Sequence, residues 1–188
     1  MKPDSSSFLA AAVEAFPPSC CALAQEAALA LSAFVEPDYG VGSTRVIVRG
    51  HKVQIPRRLH FRKKRMEKLY ALPALEPIVQ CLLTRSTDGF ERHAALRSLL
   101  TLNECWSIPF VILLAGEYVV EIIHDIVSSI SLLDPAAYAA FVRENTQLMT
   151  LLRARAPATG TVITGIDSPI ETSIPVLSFS TSFERWSR

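Results

Sequence analysis

One spacing in this sequence resembles a metal site: Glu121-Ile122-Ile123-His124, with Glu117 one helical turn earlier. Di-iron carboxylate bundles use two Glu-x-x-His motifs and further glutamates, all of which face the core. This chain has a single such motif, and its polar residues stand opposite an apolar stripe on the predicted helix. We therefore expect Glu117, Glu121 and His124 to form a solvated helix face, and we predict no metal or other cofactor.

The cysteines offer no recognisable catalytic or metal-binding spacing. Cys20 and Cys21 are adjacent, Cys81 and Cys105 stand alone inside apolar runs, and no C-x-x-C occurs. For Cys81 and Cys105 a buried reduced thiol is the expected state, which indicates a reducing, cytoplasmic setting. The sequence also has no G-x-S-x-G, phosphate-loop or dinucleotide glycine motif. Catalysis is therefore unsupported, although an enzyme whose site is formed by residues distant in sequence stays an alternative.

The strongest departure from average composition is the stretch of residues 45–68, which is rich in Lys and Arg. It holds ten of the nineteen basic residues and a single acid, so its formal charge is +9, while the whole chain carries only +1. Basic clusters neutralise phosphates, and a two-stranded ribbon can enter the major groove of DNA. The candidate polyanion-binding residues are Arg45, Arg49, Lys52, Arg57, Arg58, Arg62, Lys63, Lys64, Arg65 and Lys68.

The same charge has other interpretations. The basic stretch can pair with acids of this chain, for example Glu117 and Glu121, or it can contact an acidic partner protein. A membrane-surface role is less well supported, because the stretch lacks a broad apolar helical face. The sequence leaves open whether the basic stretch is accessible to a partner or paired internally.

The basic stretch divides at Pro56 into two predicted structures. Over residues 44–56, apolar and polar residues alternate in two runs, and Gly50 between them can adopt the positive φ of a tight turn. This pattern predicts a β-hairpin. The residues after Pro56 have a helical pattern, or the pattern of a turn followed by a helix. We expect residues 44–68 to form a basic arm between the N-terminal helices and the core helices.

The rest of the chain is dominated by helical patterns. Amphipathic runs that follow caps such as Asp88 and Asp134 predict about six helices, with the main core in residues 75–152. We expect one mainly α domain over residues 1–157, arranged as a compact bundle or a short helical repeat. Ser and Thr are frequent in residues 158–188, which predicts a loose, poorly ordered tail.

No stretch of the sequence is typical of a membrane span or an export signal. The longest apolar run in the body of the chain, residues 108–116, is much shorter than the roughly 20 residues that a span needs. Asp4 and Glu14 interrupt the N-terminal apolar residues. We therefore predict a soluble cytoplasmic protein.

Residues 75–130 resemble HEAT-type helical repeats. Residues 75–100 read L-x-P-I-V-x-x-L-L, then a short polar turn, then E-R-x-A-A-L-x-x-L, and residues 106–130 are similar to a second, degenerate helix pair. The resemblance implies stacked helix pairs that act as a binding scaffold without chemistry of their own.

These observations lead to one functional prediction and two alternatives. We predict a non-catalytic binding or adaptor protein whose basic arm, residues 45–68, contacts nucleic acid or an acidic protein. The first alternative is a helical protein–protein interaction scaffold whose basic arm is neutralised internally. The second alternative is the enzyme with a site formed only in space.

Overall fold

The computed structural model describes residues 5–36, 42–62, 76–102, 104–117 and 119–163, with residues 5, 6 and 155–163 described by their backbone alone. The described chain is mainly helical and contains one antiparallel hairpin, which confirms the predicted fold class. Short 3₁₀ helices lie at Pro18–Cys20 and Ile130–Leu132. In chain order the main elements are α1 (Ser5–Glu14), α2 (Cys21–Ser32), β1 (Ser43–Val48), β2 (His51–Pro56), α3 (Glu76–Leu83), α4 (Gly89–Leu99), α5 (Ile108–Ala115), α6 (Val120–Ser128), α7 (Pro135–Glu144) and α8 (Thr146–Ile163).

Helix α5 lies in the core because its sequence is apolar on every side. Its residues from Ile108 to Leu114 are all buried. Phe110 stacks on Phe16, which follows α1, with 5.3 Å between the ring centroids, and Trp106 meets Phe16 edge-on at 5.9 Å. These aromatic contacts join the N-terminal helices to α5. No helix in the described part of the chain is long and apolar enough to cross a membrane.

The N-terminal helices α1 and α2 pack closely through alanines. Ala12 in α1 and Ala24, Ala27 and Ala28 in α2 have no exposed surface. Small side chains let two helix backbones approach each other, and alanine also has the highest intrinsic helix propensity. The alanine-rich composition of this part of the sequence therefore serves both helix formation and packing.

The hairpin has one buried face and one outward face. Val46 stands opposite Val53, and Ile47 stands opposite Lys52. Because side chains alternate along a strand, the two valines share a face, and each is at most 3% exposed. The hairpin is therefore part of the hydrophobic core through one face, and its charged residues are carried by the other.

Asn145 separates α7 from α8 and binds the free edge of β1. Its Oδ1 accepts a hydrogen bond from the Ile47 amide at 2.7 Å, and its Nδ2 donates to the carbonyls of Ile47 and Phe141 at 2.8 and 2.9 Å. The side chain thus occupies the position of a neighbouring strand. Its backbone (φ −125°, ψ 42°) leaves the helical region. The amphipathic pattern that follows the Asp134 cap predicts one continuous helix up to residue 157, so the sequence does not indicate this break at Asn145.

Helix α8 extends further than the sequence predicts. The predicted domain ends at residue 157 and the predicted tail begins at residue 158, whereas α8 continues to Ile163. The first part of the predicted tail is therefore helical. Residues 164–188, the remainder of that tail, lie outside the described residues.

Glu144, the last residue of α7, holds the hairpin turn. Arg49 and Gly50 have φ values of 48° and 78°, which correspond to the two positive values of a type I′ turn. A positive φ is unfavourable for Arg49 because of its Cβ. The amides of Arg49 and Gly50 donate to the two carboxylate oxygens of Glu144 at 3.0 and 3.1 Å, which stabilises this conformation.

Residues 57–62 are extended, so the predicted helix after Pro56 does not begin there. Leu59 exchanges backbone hydrogen bonds with Arg85 and Thr87, at 2.7 and 2.9 Å. On the other side of the segment, the Glu36 amide donates to the carbonyl of His60 at 2.8 Å. Alternate side chains, Leu59 and Phe61, are buried. The segment therefore behaves as a strand that joins the end of α2 to the turn after α3.

Candidate anion-binding surface

The structure divides the ten candidate polyanion-binding residues into three groups. Four are exposed on or beside the hairpin, and two are paired with acids of this chain. The other four lie outside the described residues, so their positions stay a prediction. The exposed four are Arg45, Arg49, Lys52 and Arg57, the paired two are Arg58 and Arg62, and the remaining four are Lys63, Lys64, Arg65 and Lys68.

The outward face of the hairpin carries Arg45 on β1 and Lys52 on β2. Arg45 stands opposite Gln54 and Lys52 opposite Ile47, so the two cations are diagonal neighbours, about 7 to 8 Å apart along the sheet. Both are exposed, and neither forms an ion pair with any described carboxylate. Ser43 donates to Gln54 Oε1 at 3.2 Å on the same face. This face, made by Ser43, Arg45, Ile47, Lys52 and Gln54, is called the outer hairpin face below.

Arg49 and Arg57 extend the basic surface to the two ends of the hairpin. Arg49 is exposed at the turn, next to the carboxylate of Glu144 that binds its amide. Arg57 follows β2 at the open end, where its amide donates to the carbonyl of Gly42 at 2.7 Å. Its side chain lies across Gly42, which leaves the guanidinium exposed to solvent. Positive charge therefore runs along the whole hairpin.

Arg58 belongs to a different site, which it forms with Arg85, Arg92 and Glu117. Its Nη1 donates to Glu117 Oε1 at 2.8 Å, and Arg85 Nη2 lies 3.1 Å from the same oxygen. Arg92 Nε lies 3.0 Å from Glu117 Oε2 but is not aligned for a hydrogen bond, so this contact is ionic. Three guanidinium groups thus surround one carboxylate that is 12% exposed. We call these four residues the arginine cluster.

The expectation that Glu117 belongs to a solvated helix face is wrong. Glu117 precedes α6, which begins at Val120, and its side chain turns inward to the arginines. On α6 itself, Glu121 and His124 are exposed, as a solvated face requires. The three weak metal candidates therefore do not converge. Within the described ranges, no group of three or more His, Cys, Asp or Glu side chains could hold a metal ion.

Arg85 anchors the arginine cluster to the end of the hairpin. Its Nε donates to the carbonyl of Pro56 at 3.1 Å, and its Nη2 donates to that of Arg57 at 2.9 Å. Burial lowers the pKa of Arg85 to about 10, and the nearby Glu117 carboxylate opposes this shift. Arg85 is therefore still charged at neutral pH. Arg92 binds the carbonyls of Ser86 and Thr87, so the cluster joins three loops.

Arg62 and His60 share a weaker acidic neighbour. The Arg62 Nε lies 3.7 Å from Glu36, and the His60 Nε2 lies 3.8 Å from the other oxygen of the same carboxylate. The Glu36 side chain is 43% exposed, so solvent screens these pairs and their contribution to stability is small. Arg62 is thus partly neutralised but still accessible.

Asp125 on α6 is the centre of a separate ionic contact with α4. Arg97 Nε donates to Oδ2 at 2.8 Å, and His93 Nε2 lies 2.8 Å from the same oxygen. The hydrogen bond from Arg97 lowers the pKa of Asp125, burial opposes this, and the contact with His93 lowers the pKa further. No sequence pattern indicates this contact, because His93 lies on α4 and Asp125 on α6, and α5 comes between these two helices in the chain.

We expect Asp125→Asn to lower the free energy of unfolding by about 1 kcal/mol at most, because solvent screens the mainly exposed Arg97. A depressed folded-state pKa stabilises the protein above the unfolded value of 3.8, and this stabilisation is lost as the pH falls through the folded-state value. The difference between wild type and variant should therefore shrink below about pH 4 in urea unfolding curves. A difference that stays constant down to pH 2 would contradict this assignment.

The cysteines show no sign of catalytic activation. Cys20, Cys21, Cys81 and Cys105 are free thiols, and Cys21 is exposed. Cys81 is completely buried, and burial raises the pKa of its thiol well above the ordinary value. A reactive thiol has the opposite shift, so Cys81 is explained by packing. Cys105 is only half-buried, in contrast to the buried thiol expected from its sequence context.

Comparison with known proteins adds no assignment. No protein-family model, curated protein or solved structure matches this chain. The class of the protein is therefore defined by its fold: a mainly helical protein into which a basic two-stranded hairpin is packed.

Proposed function

We propose that this chain is a non-catalytic binding protein whose outer hairpin face contacts an anionic macromolecule. The observation that carries the proposal is the pair Arg45 and Lys52, two adjacent exposed cations that have no ion pair with the described residues. Arg49 and Arg57 extend the same charge along the hairpin. Unpaired cations grouped on one surface attract polyanions and raise their local concentration.

The rigidity of the hairpin supports this proposal. One face is held in the core by Val46 and Val53, while Asn145 binds the edge of β1 and Glu144 binds the turn. Binding to a surface that is already ordered costs less free energy than binding to a surface that must first become ordered. The cations are thus presented by a prearranged ribbon.

Nucleic acid is the partner that this geometry favours over an acidic protein. A two-stranded ribbon has the width to enter the major groove, where basic residues contact phosphates and amide side chains contact base edges. Gln54 stands opposite Arg45 on the outer hairpin face, and its side chain ends in an amide group of this kind.

The four free cysteines support a reducing, cytoplasmic location as part of the same proposal.

The scaffold alternative has two supporting observations. Arg58 and Arg62 pair with Glu117 and Glu36, so part of the basic stretch is neutralised within the chain. Helices α3 and α4 also pack on each other, as the HEAT-type pattern implies. In this alternative, partner proteins bind the helix pairs, and the hairpin cations have no role.

The test compares wild type with an Arg45→Glu/Lys52→Glu variant in binding to a mixed-sequence DNA duplex at low salt. We expect the wild type to bind and the variant to lose at least about tenfold in affinity, because two attractive charges become repulsive. Arg97→Glu, a charge reversal on α4, is the control and should bind nearly as wild type. Absence of wild-type binding to duplex, with binding to polyglutamate, would assign the surface to an acidic protein. Absence of both would favour the scaffold.

A further inference from the structure

We propose that Arg58, Arg85 and Arg92 form a binding site for one phosphate-type oxyanion, inorganic phosphate or the terminal phosphate of a small monoester, for which the Glu117 carboxylate competes. The site is separate from the outer hairpin face, and the proposal does not depend on the function proposed above. Three observations support it: the arginine cluster has excess positive charge, it has unused hydrogen-bond donors, and Arg58 is accessible from solvent.

The arginine cluster has an excess of two positive charges. Three guanidinium groups contact one carboxylate, and no other described acid lies within 4 Å of them. Glu91, the acid next to Arg92 in sequence, binds the Ser86 hydroxyl instead. Arg85 and Arg92 have only 5% and 12% of their side-chain surface exposed. Buried excess charge is costly, and a phosphate monoester brings about −1.5 to −2 charges at neutral pH.

Hydrogen-bond donors of the cluster are also unused. Arg85 Nη1 and Arg92 Nε are buried and have no hydrogen-bond acceptor among the described residues. In Arg58, Nη1 is the atom that donates to described acceptors, so the Nε and Nη2 edge of its guanidinium is available. Guanidinium groups bind oxyanions through such paired donors. Glu117 Oε2 also has no hydrogen bond, although Arg92 Nε lies 3.0 Å away, so the geometry of this carboxylate does not match the donors of the cluster.

Arg58 provides the route by which an anion reaches this site. Its side chain is 42% exposed, whereas the Glu117 that it binds is 12% exposed. Glu117 lies in the short connection between α5 and α6, directly after Gly116, the C-cap of α5. A carboxylate in a connection can move away more easily than one within a helix. An arriving phosphate would bind the free edge of Arg58 and compete with Glu117 for the cluster.

The test is calorimetric titration of the full chain with inorganic phosphate, against sodium chloride of equal ionic strength. We expect saturable phosphate binding in wild type. Arg58→Gln should bind phosphate roughly tenfold more weakly, because one charged donor group is lost. Arg97→Gln is the control and should bind phosphate as wild type does. Phenyl phosphate is titrated in parallel. Tighter binding of phenyl phosphate would indicate a monoester ligand, and equal binding would indicate recognition of the phosphate group alone.

Glu117→Gln provides the second arm, because it removes the competing carboxylate. We expect this variant to bind phosphate more tightly than wild type, and phosphate to raise its melting temperature more than chloride does. If Glu117→Gln is unfolded in chloride, refolding on addition of phosphate supports the site. The proposal is overturned if phosphate and chloride act alike on wild type and on Glu117→Gln, or if Arg58→Gln binds phosphate as wild type does. Arg45→Gln should leave phosphate binding intact, which separates this site from the outer hairpin face.

Discussion

Glu117→Gln should lower the free energy of unfolding by about 3 kcal/mol in phosphate-free buffer, the largest effect that we expect from a single polar substitution. Glu117 is the acid of the arginine cluster, and its loss leaves the mainly buried Arg85 and Arg92 without a counter-charge. Removing one partner of a buried ion pair is costly for this reason. Urea unfolding at pH 7, monitored by circular dichroism, measures the change.

Glu121→Gln is the matched control for this prediction. It is the same substitution four residues later, on the exposed face of α6, and Glu121 has no ion pair with the described residues. We expect a change within about 0.5 kcal/mol. Equal effects of the two substitutions would mean that Glu117 is solvated, as the sequence pattern alone suggested, and would remove the basis of the arginine cluster.

Asn145→Ala should lower the free energy of unfolding by about 2 to 3 kcal/mol. The substitution removes three hydrogen bonds and leaves the amide and carbonyl of Ile47 without the partner they have at the edge of β1. Unsatisfied buried polar groups are more costly than the average hydrogen bond is stabilising. Asn145 is 7% exposed, so water cannot readily replace its side chain.

Two comparisons make the Asn145 prediction specific. Gln147→Ala, at an exposed position in the first turn of α8, should have little effect on stability. Hydrogen exchange should show the Ile47 amide losing protection in Asn145→Ala more than amides of α5 do, because the edge of β1 opens locally. Unchanged protection at Ile47 would contradict the role of Asn145 as a substitute strand.

The elements that follow simple periodicity could be predicted from the sequence. Asp88 and Asp134 cap α4 and α7 by accepting hydrogen bonds from amides in the first turn, as their positions before apolar runs indicate. The valines of the hairpin are buried and alternate with outward-facing residues, and the turn has the positive φ that Gly50 permits. Local patterns carry this information because period and caps depend on near neighbours.

Features that depend on distant residues could not be predicted in the same way. The sequence around Asn145 has a helical pattern, and the residue that explains the role of Asn145, its hydrogen-bond partner Ile47, is 98 positions away. Glu117 shares a polar stripe with Glu121 in the sequence, but tertiary contacts with three arginines place it inside. Residues 57–62 do carry a local strand signal, because the buried Leu59 and Phe61 alternate with polar residues. The high charge of this segment makes that alternation difficult to recognise in the sequence.

The central claim is that the outer hairpin face binds a polyanion through Arg45 and Lys52, and the most direct test is the salt dependence of DNA binding. The affinity of wild type, Arg45→Gln, Lys52→Gln and Arg97→Gln for one duplex is measured over a range of salt concentrations. Each hairpin substitution should reduce the slope of log K against log salt by about 1, and Arg97→Gln should leave it unchanged. Slopes that are equal in all four proteins would contradict the claim.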